Sequence, residues 1–274
     1  MSQLLTELKQ TVAFLKEKGF QDAVAGVILG TGLGDLVRQV KVEVSIPYSE
    51  IPNFPVSTVE FHKGQLILGK IGEVRVIAMQ GRFHYYEGYS MQQITFPIRV
   101  MKLLGVKFLL LSNAAGGINL NYKKGDLVVL RDHINMQSEN PLRGLVHDEF
   151  GPRFPDMSNP YNDGLSEQLY ATAQQHGVPV HKGTYVAVNG PNLETRAEYR
   201  YLKAAGADMV GMSTVPEVIV ANQVGLPCAA VSVITDECDP ENLHAVDISE
   251  IIAVARIADK KLSNIFMEVL RQLS

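Results

Sequence analysis

The chain has 274 residues, 46% of them hydrophobic, so it is long enough to bury a large core in one or two domains. Its 25 Lys and Arg residues and 29 Asp and Glu residues give a net charge of -4, which excludes the basic footprint of a nucleic-acid-binding protein. Apolar runs stay below about 18 residues and the N-terminal region carries charges throughout, so we expect a cytoplasmic protein without a signal peptide or membrane span.

The first half of the chain alternates between amphipathic segments and short apolar runs. Apolar residues at helical spacing predict a helix over 3–18, and the same spacing after Ser90 predicts a second helix that ends at Gly105. Pro97 favours a kink in that second helix or a later start. Apolar runs of strand length predict strands at 24–30, 65–70, 74–80, 108–112 and 126–131.

The second half alternates more regularly, and a glycine ends most of its helices. Helices are predicted at 165–176, 195–205, 216–224 and 248–272, and strands at 182–188, 209–212 and 228–235. Apolar strands alternating with helices are typical of an α/β fold with a mostly buried sheet. The sequence contains no linker, low-complexity segment or repeat, so we predict one domain over 1–274.

One segment, 136–163, is rich in proline and glycine and has little periodicity. Irregular stretches of this length in a compact domain are usually functional or disordered. Phe150, Phe154, Met157 and Tyr161 supply apolar anchors. We therefore expect an ordered loop.

The two cysteines, Cys228 and Cys238, are too few for a disulfide framework in so long a chain, and they do not form a zinc pattern. We interpret them as free thiols in a reducing compartment.

Glycine-rich or polar segments follow three of the predicted strands. Gly30–Gly34 (GTGLG) could form a nest of N–H groups around an anion, although a structural turn is an equally good interpretation. Gly81–Gly88 (GRFHYYEG) places Arg82 and His84 two residues apart, so both side chains could point to one oxyanion. Since ligands of α/β sheets gather at the carboxyl ends of strands, these segments and 112–117 are candidates for one crevice.

Two acids, Glu194 and Asp236, follow strands of the second half and have no obvious partner in the sequence. His62 lies in a polar loop, where a histidine is more often at the surface than in a site. These residues indicate an α/β enzyme with an anion site and nearby acids. A sugar-phosphate-binding protein, a phosphatase and a phosphorylase all remain open at this point.

Several longer motifs occur in a fixed order. They are Val27–Gly34 (VILGTGLG), Phe54–Thr58 (FPVST), Gly81–Gly88, Asn113–Gly117 (NAAGG), Asp132–Asn135 (DHIN), Gly190–Glu198 (GPNLETRAE) and Val210–Glu217 (VGMSTVPE). From about residue 20 to the C-terminus, this pattern resembles the low-molecular-mass, trimeric purine nucleoside phosphorylases. The resemblance implies a mixed, mostly parallel central sheet surrounded by helices, and a homotrimer whose active sites are shared between neighbouring subunits. It also implies phosphorolysis of purine nucleosides, with inorganic phosphate as co-substrate and no metal or organic cofactor.

The resemblance also implies roles for individual residues. Those expected at the phosphate are Thr31, His62, Arg82, His84, Ala114 and Ser213. Those expected at the nucleoside are Tyr86, Phe154, Leu193, Glu194, Val210, Met212 and Asp236, with Phe154 lent by the neighbouring subunit. His84, Glu194 and Asp236 are the expected catalytic residues. Glu194 would accept from purine N1–H, and Asp236, once protonated, would donate towards N7.

Three positions depart from the family pattern. Thr31 stands where serine is usual, Asp236 where asparagine is usual, and Ile248 at the position of a histidine that meets the ribose 5′-hydroxyl. Asp236 and Ile248 match methylthioadenosine phosphorylases, but those enzymes lack the counterpart of Glu194. We expect guanosine and inosine as main substrates; a preference for adenosine or methylthioadenosine and a non-catalytic nucleoside-binding protein are the alternatives.

Overall fold

The computed structural model describes residues 3–58, 63–146 and 148–273, and nine strands and six α-helices lie in this part of the chain. The strands are β1 (Ala25–Leu29), β2 (Lys41–Pro47), β3 (Gln65–Ile71), β4 (Val74–Gln80), β5 (Phe108–Gly117), β6 (Leu127–Asn135), β7 (Val180–Ala187), β8 (Met209–Gly211) and β9 (Cys228–Glu237). The helices are α1 (Gln3–Glu17), α2 (Met91–Leu103), α3 (Asp163–Gln175), α4 (Arg196–Ala204), α5 (Val215–Gln223) and α6 (Ile248–Gln272). No helix in these ranges combines the length and apolar character that a membrane crossing requires.

All nine strands belong to one mixed sheet with the order β2-β3-β4-β1-β5-β8-β7-β6-β9. β1 runs parallel to β4 and β5, whereas β2, β3 and β4 form an antiparallel meander. β9 also pairs in parallel with β5, so β5, β8, β7, β6 and β9 close into a ring. The sheet is therefore open on one side and barrel-like on the other.

Helices cover both faces of the sheet, which confirms the predicted α/β class. One apolar core lies between the sheet and α1, α2 and α5, and a second lies between the sheet and α3 and α6. All five residues of β1 are buried, as are the first eight of β9. Strands buried on both faces explain the unbroken apolar runs in the sequence.

Most predicted elements occur within a few residues of their expected bounds, but three details differ. Helix α2 begins at Met91, directly after its N-cap Ser90, so the later start suggested by Pro97 is wrong. β2 was not predicted, because most of its residues are exposed and it contains no apolar run. β5, β6 and β9 extend beyond their apolar runs into the polar residues that follow.

The irregular segment before α3 is held by three of its four proposed anchors. Phe150 and Tyr161 are buried, and Met157 packs against the core. Phe154 is 85% exposed, so its interpretation as an anchor is wrong. This aromatic side chain instead projects from the surface.

Candidate active site

A cavity of about 250 Å³ opens where the carboxyl ends of five strands meet. It is bordered by the segments after β1, β4 and β8, by the last residues of β5 and β9, by the segment before α4 and by the start of α6. The predicted site residues that line it are Thr31, Arg82, His84, Tyr86, Ala114, Leu193, Glu194, Val210, Met212, Ser213 and Asp236. The expected convergence of strand ends on one crevice is therefore present.

A larger cavity, of about 560 Å³, lies beside the glycine turn after β1. Arg38, Arg256 and Lys260 border it, but none of the predicted site side chains does. Size does not decide between the two cavities. We assign the site to the smaller one because it brings acids, bases and hydroxyl groups together.

Arg82 dominates one end of the smaller cavity and is itself only 2% exposed. Its Nη1 donates to the Ser112 carbonyl oxygen at 2.7 Å, and its Nη2 lies 2.9 Å from Oε1 of the equally buried Glu217. Glu217 is on α5, which brings an acid from a remote part of the chain under the guanidinium group. The ion pair holds Arg82 in one orientation while compensating its charge.

His84 lies at the same end and is held by Glu87, three residues later. His84 Nδ1 is 2.9 Å from Glu87 Oε1, which also accepts from the His84 backbone N–H at 2.8 Å. Burial opposes ionisation of Glu87, but hydrogen bonds from His84 and Thr58 outweigh it and lower the pKa of Glu87 to about 2. Since the ionised carboxylate only accepts, we infer that the proton is on Nδ1, and Nε2 of a neutral His84 is then an acceptor.

Burial also determines the charge of His84. It lowers the pKa of the imidazole from 6.5, and the charge of Arg82 lowers it further, against the opposing influence of Glu87. The neutral ring is therefore favoured at neutral pH. The His84 ring stacks on Tyr86, with ring centroids 4.7 Å apart, and this contact restricts both side chains.

Ser213 completes what we call the basic end of the cavity, formed by Thr31, Arg82, His84 and Ser213. Thr214, directly after it, has a φ of +69°, an unfavourable conformation for a β-branched residue. The turn is secured by Asn113, whose Nδ2 donates to the Thr214 hydroxyl at 2.9 Å. It places the Ser213 side chain immediately before the N-terminus of α5.

The opposite, acidic end of the cavity contains Glu194 and Asp236. Both Asp236 oxygens accept hydrogen bonds, from the Thr235 hydroxyl at 2.8 Å and from the Cys238 thiol at 3.1 Å. Burial raises the pKa of Glu194, and the nearby Asp236 charge adds to this, while a hydrogen bond from Tyr199 opposes it. Neither acid has an obvious partner in the sequence, whereas the fold provides a hydroxyl or thiol donor for each.

The wall between the two ends combines aromatic and apolar groups. Tyr86 and Met212 line the cavity, and so do Ile248 and Ile252 from the first two turns of α6. The N-cap Asp247 fixes this turn by accepting from the Ser249 N–H at 2.8 Å. Ile248 thus stands at the cavity, where the family pattern places a histidine.

Comparisons with known proteins agree with this arrangement. Residues 24–271 match the family model described as the phosphorylase superfamily. Purine nucleoside phosphorylase 1 of Bacillus subtilis (strain 168) is 51% identical over 229 residues, or 84% of each chain. The chain belongs to the purine nucleoside phosphorylases. It is accordingly an α/β pentosyltransferase that cleaves purine nucleosides with phosphate.

Two solved structures of Schistosoma mansoni phosphorylases are similar to this phosphorylase over nearly its whole length. Isoform 2, in complex with cytosine and ribose-1-phosphate, is 42% identical with a TM-score of 0.93, covering 98% of this chain and 97% of the other. A second S. mansoni purine nucleoside phosphorylase, in complex with adenosine, is 40% identical with a TM-score of 0.91, covering 97% of both chains.

Two predicted residues of the phosphorylase do not line the cavity. Phe154 borders a separate surface hollow of about 640 Å³, together with His133, Leu142 and Val146. Phe154 is therefore separated from the cavity that the other predicted residues line. His62 lies outside the described residues.

Sequence reasoning missed the residues that hold the predicted ones in place. Glu87 could have been found, because it lies three residues after His84 in the same motif. Glu217 ends one of the quoted motifs and Tyr199 directly follows another, but the sequence does not indicate a partner for either. Cys238 was interpreted only as a free thiol; both cysteines are indeed free, but Cys238 also contacts Asp236.

Proposed function

We propose that this phosphorylase acts mainly on guanosine, inosine and their 2′-deoxy forms, releasing the free purine and (deoxy)ribose 1-phosphate. The observation that carries the proposal is a single cavity with a basic end at Arg82 and His84 and an acceptor, Glu194, at the other end. The basic end suits phosphate and the acidic end suits a purine that carries N–H groups.

Phosphate would be bound by Arg82, His84, Ser213, Thr31 and the backbone N–H of Ala114. Arg82 contributes charge and His84 contributes Nε2, which can accept from a phosphate hydroxyl. The N-terminus of α5, just after Ser213, adds partial positive charge. These groups would place the nucleophile beneath the sugar, which removes much of the entropic part of the barrier.

In the reaction, the bond between the anomeric carbon and purine N9 breaks and its electrons move onto the purine. A phosphate oxygen then forms the new bond to the anomeric carbon. Tyr86 and Met212 would contact the ribose, while Leu193 and Val210 would flank the base. Glu194 would accept from N1–H, and a protonated Asp236 would donate to N7 as charge develops there.

Base preference follows from the acceptor character of Glu194. Hypoxanthine and guanine present N1–H to it, whereas adenine N1 is itself an acceptor. Two facing acceptors would cost about 1–3 kcal/mol, corresponding to about a ten- to hundredfold preference for 6-oxopurines. We expect weak but measurable cleavage of adenosine.

A preference for adenosine or methylthioadenosine is the second candidate. An ionised Asp236 can accept from the 6-amino group of adenine, and Ile248 offers an apolar contact where a 5′-methylthio group would lie. The S. mansoni relative solved with adenosine supports an adenine nucleoside in a site of this type.

The decisive experiment measures kcat/KM for inosine, guanosine, adenosine and methylthioadenosine, with and without phosphate. We expect phosphate-dependent release of base, with inosine and guanosine preferred. Ser213→Ala should raise the KM for phosphate with little change in the preference among bases. Faster cleavage of adenosine or methylthioadenosine would establish the second candidate instead, and an unchanged phosphate KM would remove Ser213 from the phosphate site.

The same proposal includes a homotrimer with shared sites, a cytoplasmic role in purine salvage, and catalysis without a metal or organic cofactor. Exposure of Phe154 supports the shared site, because its ring is accessible to a neighbouring subunit. Activity should survive dialysis against a chelator. A chelator-sensitive enzyme that metal restores would contradict the cofactor part of the proposal.

Sharing can be tested by mixing inactive subunits. Phe154→Ala should weaken nucleoside binding, and Glu194→Ala should inactivate the base site. In mixed trimers, some sites combine the intact Glu194 of one subunit with the intact Phe154 of another, so activity should partly return. Mass spectrometry would verify the exchange of subunits, and no recovery after exchange would count against sharing.

A further inference from the structure

Cys238 is buried beside the acidic end of the cavity, and its thiol makes a polar contact with Asp236. Its side chain is 1% exposed, and its thiol lies 3.1 Å from Asp236 Oδ2. The Cys238 backbone N–H donates to the Gly117 carbonyl oxygen at 2.8 Å, which fixes the thiol relative to β5. A Cβ on Gly116 would lie 2.6 Å from Sγ, so the glycine is what allows this close approach.

The thiol keeps its proton in this environment. Burial raises the pKa of Cys238, and the Asp236 charge raises it further. Cys238 therefore remains a donor towards the carboxylate. Its surroundings, which include Val210 and Leu202, are apolar, and a hydrogen bond is electrostatically stronger there than in water.

Cys238 also connects the two acids. The Tyr199 hydroxyl interacts with both Glu194 and Cys238, and Cys238 in turn contacts Asp236. Tyr199 is only 2% exposed, so solvent does not compete for these contacts. The two carboxylates that face the base are thus joined through one phenol and one thiol.

We propose that Cys238 is a positioning residue that determines base preference, by holding Asp236 as a hydrogen-bond acceptor. The inference rests on the proposed function, in which Asp236 faces the purine. The Cys238 thiol donates at Oδ2 and the Thr235 hydroxyl donates at Oδ1, so both oxygens of Asp236 are held as acceptors. An acceptor at this position pairs with the 6-amino group of adenine, whereas a 6-oxopurine has no donor at its 6-position. Cys238 therefore sustains the adenosine activity of the enzyme.

The alternative is that Cys238 acts only as a small apolar residue that fills space beside Val210. The two interpretations differ in what they predict for substitutions. If only volume mattered, alanine and serine would alter stability without altering the ratio of substrates. If the donor matters, serine replaces it and alanine does not.

The test compares the ratio of kcat/KM for adenosine to that for inosine in the wild-type enzyme, Cys238→Ala and Cys238→Ser. We expect alanine to lower this ratio about three- to tenfold and serine to retain or raise it. Cys228→Ala is the matched control, because that thiol is equally buried but contacts the Pro160 carbonyl oxygen instead. Its ratio should match the wild type.

A second comparison shows whether Cys238 acts through Asp236. In an Asp236→Asn background, Cys238→Ala should no longer change the ratio, since the acceptor carboxylate is gone. The inference would be overturned if Cys238→Ala left the adenosine-to-inosine ratio unchanged, or if Cys238→Ser lowered it. The serine result is decisive even if the alanine variant fails to fold. A wild-type enzyme that cleaves inosine but not adenosine would also overturn the inference. An enzyme that cleaves no nucleoside in a phosphate-dependent reaction would instead refute the proposed function.

Discussion

The buried ion pair between Arg82 and Glu217 gives a prediction with a magnitude. Glu217→Gln keeps the size of the side chain and an oxygen for the guanidinium group, but removes the negative charge. Because the Arg82 and Glu217 side chains are only 2% and 3% exposed, water cannot replace the lost charge. The variant therefore contains a buried cation without its compensating carboxylate.

Removal of one partner of a buried ion pair typically costs about 3–5 kcal/mol. The glutamine oxygen retains part of the hydrogen bonding, and Arg82 keeps its bond to Ser112, so we take the lower value of about 3 kcal/mol. For 274 residues, an unfolding entropy of about 2.1 cal/mol/K per residue converts this loss into a decrease in Tm of about 5 °C.

Thermal unfolding should be followed with and without phosphate. An anion bound at the basic end would supply the missing negative charge, so phosphate should raise the Tm of Glu217→Gln more than that of the wild type. The first measurement tests the ion pair, and the second tests whether the basic end binds phosphate.

Glu241→Gln is the control. Its partner Arg200 is 2.8 Å away, but the two side chains are 76% and 55% exposed, so the loss should stay below about 0.5 kcal/mol. Equal stability of the two variants would refute the reasoning about burial. A phosphate-induced shift in Glu217→Gln no larger than in the wild type would refute the electrostatic link between Arg82 and phosphate.

Three further predictions concern the site. Gly116→Ala should lower kcat/KM for inosine at least tenfold, because the added Cβ would lie 2.6 Å from the Cys238 sulfur. Steady-state kinetics would measure this loss, and a wild-type kcat/KM would contradict the prediction. In the folded state the pKa of His84 is lowered from 6.5, so the unfolded state binds more protons and the free energy of unfolding should fall as pH drops below about 6.5. Urea titrations should show a smaller fall for His84→Gln than for the wild type. Equal falls would exclude this contribution. Ile248→His should reduce kcat/KM for methylthioadenosine relative to adenosine by about five- to tenfold, since a polar group replaces the apolar contact. If this ratio of kcat/KM values were unchanged, the 5′ group of the nucleoside would not contact residue 248.

The sequence predicts most of the fold because buried strands and amphipathic helices leave strong local patterns. β1 and β9 are apolar almost throughout, and α6 is both long and amphipathic. β2 was not predicted, because it is stabilised by pairing with β3 and most of its own residues are exposed. Closure of β5 and β9 into a ring likewise depends on contacts between distant segments.

In the candidate site, too, some residues could be predicted from the sequence and others could not. Motifs identified Arg82 and His84, because they are close together in the sequence and follow a strand. Their partners depend on the fold: Glu217 is 135 residues from Arg82 and reaches it only because α5 packs against α2 and β9. Residues that touch a ligand can be found from motifs, whereas residues that hold them usually need coordinates.

The closed ring of strands also affects how the protein avoids aggregation. β9 returns to β5, so within the described chain that side of the sheet has no open edge for another molecule to extend. The remaining edge is β2, whose exposed residues include Lys41 and Glu43, and which ends at Pro47, a residue without an N–H donor. Charge and proline on an edge strand discourage intermolecular β-pairing. Replacement of Lys41 and Glu43 by valine would therefore be expected to promote self-association through this edge while leaving the nucleoside site unchanged.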